Sequence, residues 1–151
     1  MIYYLQKDFY DPPPDNPHAA AGSIKYETKF SLLHSWSEFY ICVNAAVKQF
    51  GKRDRHGIGE RMEKIAFDFL DYLVLASKKK SDSRMNLLEK MDRELVKEKI
   101  LVRLSYKIGA LPEPRYIDLE KRIIEMGRQV GGWIKGEHKR SENENKKKEE
   151  L

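Results

Sequence analysis

The stretch R-Y-I-D-L-E-K-R-I-I-E-M-G-R-Q-V-G-G-W-I-K, residues 115–135, decides the fold. Tyr116, Leu119, Ile123, Met126, Val130 and Trp133 recur at alternating spacings of three and four, an unbroken heptad seam along one face of a helix. Gly127, Gly131 and Gly132 interrupt that helix, and each costs about 1 kcal/mol relative to alanine in a helix interior. Lacking a Cβ, they let another backbone approach closely, while Trp133 supplies a large anchor and Arg128 and Lys135, a heptad apart, frame Gly131 with positive charge. Two readings are open: a glycine-bearing helix end packed inside a monomer, or a helix shaped for a close partner, protein or nucleic acid.

The same helix carries a second stripe. At about 100° per residue, Ile117, Ile124 and Gly131 fall roughly 130° from the centre of the core seam. Either the core wraps wide around this helix or the stripe meets a neighbouring subunit. The candidate oligomer interface is therefore Ile117, Ile124, Gly127, Gly131 and Gly132.

Upstream, Leu111-Pro112-Glu113-Pro114 forbids helix, so this fourth helix starts near Pro114 or Arg115. The third runs from the cap cluster Ser81-Asp82-Ser83 to Ile108, with Leu88, Met91, Leu95, Leu101, Leu104 and Ile108 inward and Gly109 ending it. The second starts at Ile58, turns Ile58, Met62, Ile65, Phe69, Tyr72 and Ala76 inward, and ends by Lys78-Lys79-Lys80, where cations suit the helix dipole. The first spans Thr28 to Phe50 with Phe30, Leu33, Trp36, Tyr40, Val43, Val47 and Phe50 on one face, stopped by Gly51. The basic connection Lys52 to Gly57 follows.

Four helices joined by short turns predict an all-α, up-down-up-down antiparallel four-helix bundle over 28–136. Residues 1–27, with an aromatic start and the run Asp11-Pro12-Pro13-Pro14-Asp15-Asn16-Pro17, read as an extended arm. Residues 137–151 are nearly all Lys, Glu, Asn and Ser and read as a charged flexible tail, helical at most in part.

At 151 residues the chain is one domain's worth. No apolar run approaches ~18 residues. Met1 to Asp8 lacks both a basic start and a long apolar segment, so a cytoplasmic location is expected. Cys42 is the sole cysteine, which excludes an internal disulfide framework and a cysteine-based zinc cluster; on an apolar helix face it reads as core. The net charge of +5 is unevenly placed. The first 27 residues hold two lysines against four acids and 137–151 hold five bases against five acids, so 28–136 carry 22 bases against 15 acids. A basic body points to a polyanionic partner.

Enzyme chemistry is not visible. A carboxylate-bridged di-iron bundle needs Glu three residues ahead of His. The residues three ahead of His18, His34, His56 and His138 are Asp15, Ser31, Arg53 and Lys135, and Asp15 lies in the proline run. A helical RNA nuclease of the HEPN type carries R-x4-H, but the matching positions here are Pro13, Lys29, Gly51 and Trp133. No phosphate loop, nucleophile elbow, metal-ligand spacing or cofactor motif occurs. A non-enzyme is expected, with no cofactor and no metal.

Charge and shape remain. Arg53, Arg55 and Arg61 gather at the start of the second helix, where exposed amides favour phosphate. On the third helix Arg93 and Lys97 form an i, i+4 pair, and Lys99, Arg103 and Lys107 form a basic ladder diluted by Glu94 and Glu98. With Arg128 and Lys135 these are the candidate nucleic-acid contacts. No aromatic-basic alternation of an RRM type occurs, so binding should follow backbone and shape rather than base sequence.

The order F-G-K-R-D-R-H-G-I-G-E-R-M-E (50–63), L-V-L-A (73–76), L-L-E-K-M-D-R-E-L (87–95), L-V-R-L (101–104) and I-E-M-G-R-Q-V-G-G-W-I-K (124–135) resembles the accessory variability determinant proteins of diversity-generating retroelements. The match covers about residues 30–136, and the Gly-Gly-Trp segment is its most specific part. That family tends to have proline after the phenylalanine that ends helix one; Gly51 stands there in this chain. The resemblance implies four-helix bundles assembled five to a barrel, without catalytic residues. It also implies binding to the element's reverse transcriptase and template RNA in support of error-prone cDNA synthesis, possible cDNA contact included. The alternatives are the related four-helix protein encoded within ribosomal RNA intervening sequences, which typically lacks the Gly-Gly-Trp ending, and a structural oligomeric module without nucleic-acid binding.

Overall fold

The computed structural model describes residues 23–150. Four long helices make up this part of the chain: α1 (Ser23–Gln49), α2 (Glu60–Lys78), α3 (Ser81–Lys107) and α4 (Glu113–Glu149), with no strand among the described residues. The described residues are all-α, as the apolar periodicity predicts. Helix α1 begins five residues ahead of Thr28, so 23–27 are helical rather than part of an extended arm. Residues 1–22 of the expected arm lie outside the described residues.

Each helix touches the next, and α1 closes the ring against α4. The pairings run antiparallel throughout. Trp36 Nε1 donates to Ala66 O at 2.8 Å, while Val47, a little over three turns further along α1, lies beside Gly59, immediately ahead of α2. Ser105 Oγ lies 3.4 Å from Met62 Sδ, and Arg84 Nε donates to Ala76 O at 3.0 Å. Arg103 pairs with Glu120 and Arg84 with Glu137 between α3 and α4. Between α1 and α4, Gln129 Nε2 donates to Ser35 Oγ at 2.9 Å and the half-buried Cys42 thiol lies near Asp118. Burial and then Asp118 push that thiol up from its ordinary value.

The seams set the register. In α4 Leu119, Ile123, Met126 and Val130 are buried as the heptads predict, with Tyr116 and Trp133 packed at the flanks. In α2 Met62, Ile65, Phe69 and Ala76 are buried, and Leu73 takes the place expected of Tyr72. In α1 the centre is Leu32, Trp36, Phe39 and Val43, with Leu33 and Tyr40 beside it. Full burial of each such large side chain contributes roughly 1.5–3 kcal/mol.

Helix α3 departs from expectation after Leu95. Its seam continues through Glu98, Val102 and Ser105, all essentially inaccessible, while Leu104 and Ile108 are 44% and 56% exposed and Leu101 is only partly buried. A helix must keep alternating steps of three and four to face one core. From Leu95 those steps land on Glu98, Val102 and Ser105, whatever their polarity.

The turns explain several residues. After a break at Phe50 and Gly51 the chain is helical again before α2, with a short turn Lys52–Asp54 and a π-helical turn Arg55–Gly59 in place of the expected loop. A Cβ on Gly59 would sit 2.8 Å from Val47 Cγ1 and 3.2 Å from Asp54 O, so a glycine there lets the two helices meet. Gly109, at φ +79°, closes α3: its N–H bonds Tyr106 O and the Ala110 N–H bonds Ser105 O, a Schellman ending. Pro114 lies in the first turn of α4, where a missing N–H costs nothing.

Helix α4 does not stop at Gly136. It continues to Glu149 through the segment that composition predicts to be a solvated tail. Glu137, its first acid, is buried against Arg84, which anchors the helix beyond the glycines.

Candidate nucleic-acid and subunit interface

The predicted contacts divide into two sets. Arg55 is exposed but occupied: its guanidinium donates to Lys48 O at 3.0 Å and Phe50 O at 3.2 Å, satisfying carbonyls left over at the end of α1. Lys97 bonds Glu94 at 2.7 Å, and Arg103 reaches across to Glu120 on α4 at 2.9 Å. Arg128 grips Glu125 with both arms of its fork, at 2.6 and 2.9 Å. That grip, aided by Gln129, holds the Glu125 carboxyl down to about 2. Lys97, Arg103 and Arg128 are thus paired with carboxylates of the chain, whereas Arg55 keeps its charge but is held by backbone carbonyls.

Arg53, Arg61, Arg93, Lys99, Lys107 and Lys135 have no ion-pair partner among the described residues, and all but the half-buried Lys99 are exposed. Arg53 and Arg61 lie at the α1–α2 end, Arg93, Lys99 and Lys107 along α3, and Lys135 on α4. The ten predicted contacts therefore do not form one patch. The amides expected at the start of α2 are also not free there. The Glu60 N–H already bonds Arg55 O and Gly57 O, because helical turns precede it. The first helical turn after α1 is Lys52–Asp54 instead.

The second stripe of α4 faces outward. Ile117 and Ile124 are 44% and 56% exposed, Gly132 is exposed, and Gly127 and Gly131 are half-buried. A Cβ on Gly131 or Gly132 would meet nothing within 4 Å, and on Gly127 only Leu95 Cδ1 at 4.0 Å. The small size of these three glycines is therefore not used inside the chain. Their helical cost, about 1 kcal/mol each, goes without an offset from the bundle's own packing.

A neighbouring stripe escaped the sequence reading. On α3, Val96, Ile100, Leu104 and Ile108 recur every fourth residue, and all are exposed. The ladder Lys99, Arg103, Lys107 runs about 60° from it around the same helix. Leu95 lies beside Gly127 and Arg103 beside Glu120, which places Val96 and Ile100 within about a turn of Gly127 and Ile124 along the bundle. Val96 and Ile100 thus lie at the same level of the bundle as the outward isoleucines of α4, with Arg103 between the two helices. The i, i+4 run of β-branched and leucine residues was the available signal, hidden by the assumption that Leu104 and Ile108 point inward.

Among the described residues no group of three or more His, Cys, Asp or Glu side chains could hold a metal ion. No helix there is long and apolar enough to cross a membrane. A family model described as bAvd-like matches residues 28–137. No curated protein matches the chain.

Proposed function

Because the chain belongs to the bAvd-like family across residues 28–137, we propose that this accessory protein binds the reverse transcriptase and template RNA of a diversity-generating retroelement and supports mutagenic cDNA synthesis. The family match carries the reading. Its role is non-catalytic and cytoplasmic, with no cofactor or metal of its own, and it acts as a homopentamer. The stripe of exposed Ile117 and Ile124 with half-buried Gly131, and Gly127 and Gly132 beside it, supports contact between copies, since those glycines cost helical stability without serving the chain's own core. Arg53, Arg61, Arg93, Lys99, Lys107 and Lys135 support contact with phosphate, since their charges are not spent on intrachain carboxylates. Arg55, Lys97, Arg103 and Arg128 contribute less to RNA, because a phosphate must compete with the groups they already hold.

A second reading, an oligomeric module without nucleic-acid binding, draws on those four occupied cations and on their dispersal over several faces. Co-expression of the tagged chain with its element's reverse transcriptase separates the two. Co-purification of the polymerase at moderate salt, with light scattering above the monomer mass, is expected. A monomer that leaves the polymerase in the flow-through would overturn the proposal.

A further inference from the structure

Glu94 and Glu98 stand one turn apart on α3, on the face that meets the core, and are 6% and 1% exposed. They line a narrow cleft with Trp36 and Phe39 of α1, Ile65 and Phe69 of α2 and Met126 of α4. Glu94 Oε1 accepts from Lys97 Nζ, but Glu94 Oε2 and both oxygens of Glu98 are buried with no hydrogen-bond partner. Trp36 Nε1, the only side-chain N–H donor on the cleft wall, is committed to Ala66 O. Two ionised carboxylates here would leave Glu98 with a full charge and no donor, a cost of several kcal/mol. A carboxylic acid in its place carries no charge and supplies its own O–H.

We propose that Glu94 and Glu98 form a buried acid pair that holds one proton in the closed bundle and releases it when the bundle opens, coupling closure to pH. The proton resides on Glu98, one helical turn from the Glu94 carboxylate whose charge favours it there. Charged groups around the pair all bear on Glu94: Lys97 from α3 by direct contact, and Lys64 from α2 through its charge. No charged residue of α1 or α4 lines the cleft. Glu98 therefore feels burial first and the Glu94 charge second, and both raise it well above the usual carboxylate value.

The sign follows from linkage. An acid whose folded value lies above its unfolded value, about 4.3 for Glu, leaves stability intact below that pH. Stability is then lost progressively as the pH rises toward the folded value, because the open chain gives up the proton first. Replacing Glu98 by Gln keeps the volume and removes the ionisation.

The experiment is thermal unfolding of the full chain from about pH 5 to about pH 9, on wild type, Glu98→Gln and Glu94→Gln, with carbon-13 carboxyl NMR of wild type as a direct readout. The wild-type melting temperature is expected to fall as pH rises, whereas Glu98→Gln stays flat and melts higher at the alkaline end by roughly 5 °C for each pH unit of elevation. Glu94→Gln should retain the fall but shift its midpoint downward, because the repelling charge is gone. One glutamate carboxyl should titrate well above the rest. Glutamates that all titrate together at the ordinary value, or a Glu98→Gln variant with the wild-type pH slope, would overturn the proposal. The NMR readout decides the matter even if Glu98→Gln fails to fold.

Discussion

Arg84 joins three helices, and its removal should be among the most damaging single changes. Its guanidinium donates to Ala76 O at 3.0 Å and Lys79 O at 2.5 Å, closing the end of α2, and to Glu137 Oε1 at 2.7 Å on α4. The Trp133 ring lies 5.8 Å from its centre. The side chains of Arg84 and Glu137 are only 11% and 5% exposed, so water screens the pair poorly. Arg84→Met keeps most of the apolar stem but strands the Glu137 charge, and breaking a buried pair from one side costs about 3–5 kcal/mol. The lost cation–π contact adds about 0.5–1 kcal/mol. Arg140, 4.0 Å from Glu137, retains some compensation and places the expectation near the lower end. Thermal denaturation should then show a fall of about 10–15 °C. The double variant Arg84→Met, Glu137→Leu should recover a good part of that loss, since it leaves no unpaired charge. A single-variant loss under about 1 kcal/mol, or a double variant as unstable as the two singles added, would refute the claim that this pair locks the α4 extension to the bundle.

Other perturbations follow from the same geometry. Gly59→Ala should destabilise by about 1–3 kcal/mol because its Cβ meets Val47 and Asp54. Gly132→Ala should stabilise the isolated fold by about 0.5–1 kcal/mol, because its Cβ meets nothing in the chain; denaturant titration of both variants checks the contrast. Arg55→Ala should lower stability by about 1 kcal/mol through the uncapped carbonyls of α1. The Arg53→Ala, Arg61→Ala variant should leave the melting temperature unchanged. In carboxyl NMR, Glu125 should titrate at about 2 and return toward its ordinary value in Arg128→Ala, whose fork and charge hold it down. Any stability that this surface pair contributes is present above the ordinary Glu value and fades as pH falls through about 2.

How far the fold could be read depended on whether burial was written in apolar residues. Met62, Phe69, Leu119, Ile123, Met126 and Val130 announce themselves by spacing, and all are buried. Glu98 and Ser105 occupy the same kind of seam position but are polar, so periodicity passed over them and placed Leu104 and Ile108 inside. The extension of α4 was illegible for the mirrored reason: its anchor, Glu137, sits in a charged run, and its partner Arg84 lies 53 residues away. Glycines were ambiguous because their meaning depends on the neighbour they admit. Gly59 is the one a partner helix presses on, while Gly131 and Gly132 face open space. For the candidate site, composition located the basic body but not which cations are spent. That depends on rotamers and cross-helix carboxylates such as Glu120 opposite Arg103.

The central claim, that this bundle presents free cations to RNA phosphate, is tested most directly by the salt dependence of its affinity for a structured RNA. With about four phosphates neutralised, log K should fall against log salt with a slope of about −3 to −4, and the Arg53→Ala, Arg61→Ala variant should lose about 1.5–2 of that slope. No binding at low salt, or a slope unchanged by removing both arginines, would contradict the account.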